Sequence, residues 1–171
     1  MKYFIRFTEL LQKIATWVNH IIEVIITASL ISILAILIVA VFSRFIFRFS
    51  APWSQEYVSY ATAVIGGVGF SALVHRRTML SITFLKDRLP ATLNRLFEMA
   101  IWVGVILYFR LFITYGLIFA QAVQGQFSPS MVFPLDKVRL IMPIGGILIV
   151  FQAFNNLLQD LRDWVAPKKT V

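Results

Sequence analysis

Two histidines and eight carboxylates are all that this 171-residue chain offers for general acid–base or metal-binding work, and they do not gather. His20 and His75 fall at the ends of apolar runs, away from the mid-membrane positions that a two-histidine haem site would need. Ser, Asp and His are not arranged as a triad, no phosphate-binding glycine loop is present, and no apolar run holds a pair of carboxylates. The chain contains no cysteine, which excludes disulfides and thiolate metal sites. The reading is therefore of a protein that is not an enzyme and takes no cofactor. Its remaining chemistry is cationic, with sixteen Lys and Arg and a formal net charge of +8. A nucleic-acid surface would interleave such cations with aromatics on a polar face. Here they flank apolar runs, so no nucleic-acid partner is expected.

The elements that must position these residues are apolar helices. Hydrophobic residues make up 59% of the chain and charged ones 14%, whereas soluble domains carry about 25% charge. A helix needs about 20 residues to cross the roughly 30 Å hydrocarbon core. Four segments suit that role, at about 20–43, 54–74, 93–122 and 137–159. The third is long enough to require tilt or protrusion. Ahead of them, Phe7, Leu10, Ile14, Trp17 and Ile21 recur at helical spacing opposite Lys2, Arg6, Glu9, Lys13, Thr16 and His20. Residues 3–18 thus read as an amphipathic helix lying in the headgroup region, with a plain extension of the first span as the alternative. The fold class expected is an all-α membrane protein: one membrane domain over 1–171, with four transmembrane helices preceded by an interfacial helix. The flanks carry eleven Lys and Arg on one side, from Lys2 and Arg6 through Arg76, Arg77, Lys86, Arg88 and Arg95 to Lys168 and Lys169. Arg44, Arg48, Lys137 and Arg139 stand on the other side. That asymmetry predicts cytoplasmic termini.

Within the spans, Ser59, Ala63, Gly67 and Ser71 recur every four residues and form a small-residue stripe suited to close helix packing. The partner helix, in this chain or another, is not specified by the stripe. Arg110 stands alone in its span. It reads either as a buried pairing or lipid-headgroup site between subunits, or as a side chain that snorkels because its helix tilts.

The stretch "SRFIFRFSAPWSQEYVSY", residues 43–60, joins the first two spans and carries more charge than a turn needs. Pro52 suits a helix start, Glu56 suits a first turn, and Trp53 and Tyr57 suit the aromatic belt. Two outward arginines oppose the charge bias and call for a second role. Arg44, Arg48, Lys137 and Arg139, with Trp53 and Glu56, are the expected docking residues on the outer face. An Arg44–Glu56 ion pair joining spans one and two is the alternative for Arg44.

The stretch "SRFIFRFSAPWSQEYVSYATAVIGGVGFSALVHRRTMLSITFLKDRLP" resembles the signature of the small, DctQ-type membrane subunit of tripartite ATP-independent periplasmic (TRAP) transporters. The matching elements are the Arg44-Phe45 pair, the Trp53-Ser54-Gln55-Glu56 motif and the His75-Arg76-Arg77 element. Gln55 and Phe45 stand where an acid and a tyrosine are common in that family. The resemblance implies a non-catalytic subunit of a sodium-coupled secondary importer of organic acids in the bacterial inner membrane. Its partners would be a large membrane subunit that it scaffolds, a periplasmic substrate-binding protein that it helps to dock, and membrane lipids. The chain is also similar to sialic-acid members of the family. Two other classes compete: a stand-alone homo-oligomeric carrier or channel, which lacks a mid-membrane coupling acid, and a redox anchor, which lacks haem histidines.

Overall fold

The computed structural model describes residues 2–77 and 91–165, and within these the chain is helical with no strand. Five helices follow in order: α1 (Lys2–Ile46), α2 (Pro52–His75), α3 (Ala91–Ala122), the short α4 (Leu135–Arg139) and α5 (Ile141–Val165). Four of the helical segments are long and apolar enough to cross a membrane. Lys86, Arg88, Lys168 and Lys169 of the basic flanks, and the Leu89-Pro90 pair, lie outside the described residues.

The amphipathic segment is continuous with the first span in one 45-residue helix, because no Pro or Gly interrupts the backbone. At 1.5 Å per residue α1 is about 67 Å long, more than twice the roughly 30 Å hydrocarbon core, so part of it must tilt or project. Among the described residues, neither face of the amphipathic pattern is buried against the rest of the protein. Phe7, Leu10, Ile14 and Trp17 are exposed, and a third, narrow stripe of Thr8, Ala15, Asn19 and Ile22 is buried.

Local chemistry explains the helix ends. Pro52 opens α2 at its first turn, where a missing N–H costs nothing. Glu56 consequently falls just beyond the first turn, which contains no acid, and its role is side-chain hydrogen bonding rather than dipole compensation. The helix α1 stops at Ile46 and Arg48 follows it with φ +50°, so Arg44 and Arg48 do not share a helix face. Pro143 lies in the first turn of α5, a position that tolerates proline without a kink.

Packing centres on α5. It lies against α1, α2 and α3, with Ile22, Val68 and Ala72 forming one buried cluster and Val74, Trp102, Ile149 and Ala153 another. The closest approach is between α2 and α5, where a Cβ placed on Gly145 would collide with the Gly67 carbonyl oxygen and lie 3.0 Å from Gly67 Cα. Two backbones in contact at this point leave room for no side chain. Gly145→Ala is therefore expected to lower stability by about 1–3 kcal/mol, the usual cost of overpacking. Gly104→Ala, in an equally helical setting with nothing near its Cβ, should be neutral or stabilising by up to about 1 kcal/mol. Melting curves of the two purified variants in detergent test the contrast, and equal midpoints would contradict it.

Candidate functional site

Two polar assemblies stand out, one at each end of the bundle. The first begins at the C-terminus of α2, where His75 and Arg77 reach α5 and Arg76 reaches α1. His75 Nδ1 lies 3.0 Å from Gln152 Oε1, and Gln152 Nε2 donates to the Ala15 carbonyl at 3.2 Å, so one glutamine bridges α2, α5 and α1. Arg76 donates to Glu23 Oε1 at 2.6 Å, and Asn19 Nδ2 donates to the same oxygen at 2.7 Å. Arg77 donates to Asp160 Oδ1 at 2.6 Å while Trp102 Nε1 donates to Asp160 Oδ2 at 2.8 Å, which draws α3 into the same network. Asn156 Nδ2 closes the α2 terminus by donating to the Val74 carbonyl at 2.8 Å.

Helix geometry allows this fan. Arg77 takes φ +55°, the left-handed conformation that commonly ends a helix and usually falls to glycine. A side chain there costs about 1–2 kcal/mol of backbone strain, which the charge-assisted bonds to Asp160 offset. On α5 the partners Gln152, Asn156 and Asp160 recur every four residues and form one polar stripe. Gln152, Asn155 and Asn156 are all buried. Polar groups removed from water demand partners, and interhelical bonds of this kind hold membrane helices together.

This latch contains most of what sequence reasoning missed. The His75-Arg76-Arg77 element is legible as a motif, whereas Asn19, Trp102, Gln152, Asn156 and Asp160 belong to none. The signal was present: Gln152, Asn156 and Asp160 keep a four-residue rhythm within "FQAFNNLLQD", a polar stripe on an apolar helix.

The second assembly is built on Glu56. Its carboxylate accepts from the Ser128 hydroxyl and from the Ser130 and Met131 amides at 3.1 and 3.2 Å. The loop between α3 and α4 is thereby fastened to α2. Ser128 N to Phe133 O at 2.9 Å and Leu135 N to Gln126 O at 3.0 Å tie the loop to itself. Val132 is held at φ +52°, a strained choice for a β-branched residue. Arg44 makes no ion pair with Glu56, whose oxygens are occupied by the loop.

The expected site residues separate accordingly. Arg44, Arg48 and Lys137 are exposed, and Trp53 is partly so. Arg139 is half-buried, with its guanidinium 3.9 Å from the Phe119 ring centre. The small-residue stripe divides: Ser71 is buried and Gly67 meets α5, whereas Ser59 and Ala63 are exposed. Arg110 is exposed on α3 and makes no side-chain bond among the described residues. Nor does any group of three or more His, Asp or Glu among them converge as a metal site.

The described residues thus make a unit of four apolar helices long enough to cross a membrane, joined by buried polar pins. Residues 33–163 match the family described as tripartite ATP-independent periplasmic transporters, DctQ component, and the chain belongs to that family. It is similar to the sialic acid TRAP transporter small permease protein SiaQ of Vibrio cholerae serotype O1, at 22% identity over 151 residues. That alignment covers 87% of this chain and 84% of the relative.

The latch and the loop clasp give separate expectations. Asp160→Ala leaves the buried Trp102 N–H without its acceptor and removes the ion pair of Arg77, which is 39% accessible and keeps the Asn156 carbonyl, and should cost about 1–3 kcal/mol. Glu23→Ala, which removes a more exposed pair (side chains 61% and 36% accessible), should cost no more than about 1 kcal/mol. Comparable losses in thermal unfolding would show that the latch is not the main tie. Glu56→Ala should speed amide exchange at Ser130 and Met131 about tenfold, the loss of a bond worth about 1.5 kcal/mol. Unchanged exchange at both amides would contradict the clasp.

Proposed function

We propose that this chain is the non-catalytic small subunit of a sodium-coupled secondary importer of organic acids, widening the scaffold of a large membrane subunit and helping to dock a periplasmic substrate-binding protein. The observation that carries the reading is the use of the intramembrane polar groups. Gln152, Asn156 and Asp160 are engaged in joining helices to one another, and none of them lines the apolar groove between α2 and α3. A subunit built this way can hold shape and present surface. The large apolar exposure of α1, including Leu30, Ile31, Leu34 and Ile38, suits contact with membrane lipid.

Cytoplasmic termini are part of the same proposal, supported by the Lys and Arg asymmetry. In that orientation Arg44, Arg48 and Lys137 form an outward basic rim beside the clasped loop. The rim suits an acidic patch on a soluble partner, and exposed charges of this kind govern association rate and salt dependence. The exposed loop residues Phe127, Val132 and Phe133 supply apolar contact next to it. Organic acids are the proposed cargo, and the sialic acid named for the Vibrio cholerae relative is the first substrate to try.

Reconstitution tests the proposal. Vesicles containing this chain alone should show no sodium-driven uptake, and adding the large permease and the binding protein should restore it; uptake by the chain alone would favour a stand-alone carrier. With the complete system, Arg48→Glu combined with Lys137→Glu should cut uptake several-fold at limiting binding protein. The defect should shrink as binding protein is raised. Uptake independent of these charges at every ionic strength would remove the rim from the docking surface.

A further inference from the structure

A groove of about 550 Å³ opens between α2 and α3, floored by α5 and closed at one end by α4. Its walls are apolar and aromatic: Ala63, Gly66 and Phe70 from α2 face Tyr108, Phe112 and Phe119 from α3. Tyr108, Phe109 and Phe112 are locked edge-to-face at 5.2 and 5.6 Å between successive ring centres, so the α3 wall is a preformed surface. Among the described residues, the one cation in the lining is Arg139, at the α4 end. One face of its guanidinium covers Phe119 at 3.9 Å, and its N–H edges make no hydrogen bond to another described residue.

We propose that this groove is a phospholipid site, with an acyl chain along the aromatic wall and an anionic headgroup phosphate at Arg139. Three features select this occupant. The wall from Tyr108 to Phe119 covers eleven residue steps, or about 16 Å of helix. That matches half of the roughly 30 Å hydrocarbon core, the depth of one leaflet's chains. The 550 Å³ of the groove equals little more than one turn of a helix about 10 Å across, so it encloses a thin acyl chain far more fully than a helix. Finally, the planar N–H fork of an arginine matches phosphate geometry, and Arg139 holds that fork where a headgroup would lie if the chain ran along the wall.

The test uses the full-length chain, in the assembly it forms, embedded in vesicles doped with a phosphatidylglycerol analogue carrying a photoactivatable group on one acyl chain. Cross-links should concentrate on Phe70, Phe112 and their groove neighbours, and unlabelled phosphatidylglycerol should compete them away. Arg139→Gln should reduce groove labelling several-fold, and Arg139→Lys should partly restore it. Gly66→Leu, whose new side chain enters open space, should block the groove sterically without depending on Arg139. Labelling at Leu34 and Ile38 on the exposed face of α1 should not respond to any of these changes and reports that each variant is folded and inserted. Groove labelling no greater than at Leu34, or unmoved by both Arg139→Gln and Gly66→Leu, overturns the proposal. So does cross-linking of the groove residues to another polypeptide in place of lipid.

Discussion

An amide surrounded by hydrocarbon has no water to turn to, so the polar side chains that α5 carries into the bundle favour partners within the protein, although the buried Asn155 Nδ2 has none among the described residues. Gln152 and Asn156 solve this by reaching the Ala15 and Val74 carbonyls, and Asp160 by accepting from Arg77 and Trp102. The consequence is that all four long helices are tied over about two turns at one end of the bundle. Apolar packing could not do this with the same specificity, because lipid tails compete with leucine and isoleucine on nearly equal terms. The backbone contact between Gly67 and Gly145 then follows, since the polar pins fix the register that brings the two glycines opposite each other.

The two ends of the bundle differ in kind. At the His75 end the bonds run between helices, and some of them are fully buried. At the other end a single carboxylate, Glu56, organises a loop, while α1 runs on as an exposed apolar rod to Ile46. Between these ends α2 and α3 diverge over α5 and leave the aromatic groove. The firm base and the clasped loop thus stand at opposite ends of the bundle, with the apolar groove between them.

The helices are legible in the sequence because length and apolarity alone dictate them, and the Pro52 start is legible because only a first turn tolerates that residue so well. The Gly67 contact is half legible: the four-residue stripe announces a close approach, but naming Gly145 as the opposite surface requires the fold. The latch is hardest to read. Its members lie as far apart as Ala15 and Gln152, and each taken singly looks like an interfacial polar residue. Only their convergence makes them a device. Glu56 shows the opposite failure, since its residue type points to dipole compensation or to Arg44, while a loop more than 70 residues onward takes up its oxygens.

The central claim is that this subunit behaves as one rigid body pinned at its polar latch. The chain has no native cysteine, so spin labels can be placed cleanly on the exposed residues Leu34 of α1 and Leu107 of α3. Pulsed electron–electron distance measurement across that pair, in the assembled transporter with and without sodium and substrate, is the most direct test. The account predicts one narrow distance distribution that transport ligands leave in place, and that broadens when Asp160 is replaced by alanine. A distribution that shifts with sodium or substrate in the unaltered latch would mean that the subunit moves with the transport cycle, and would contradict the account.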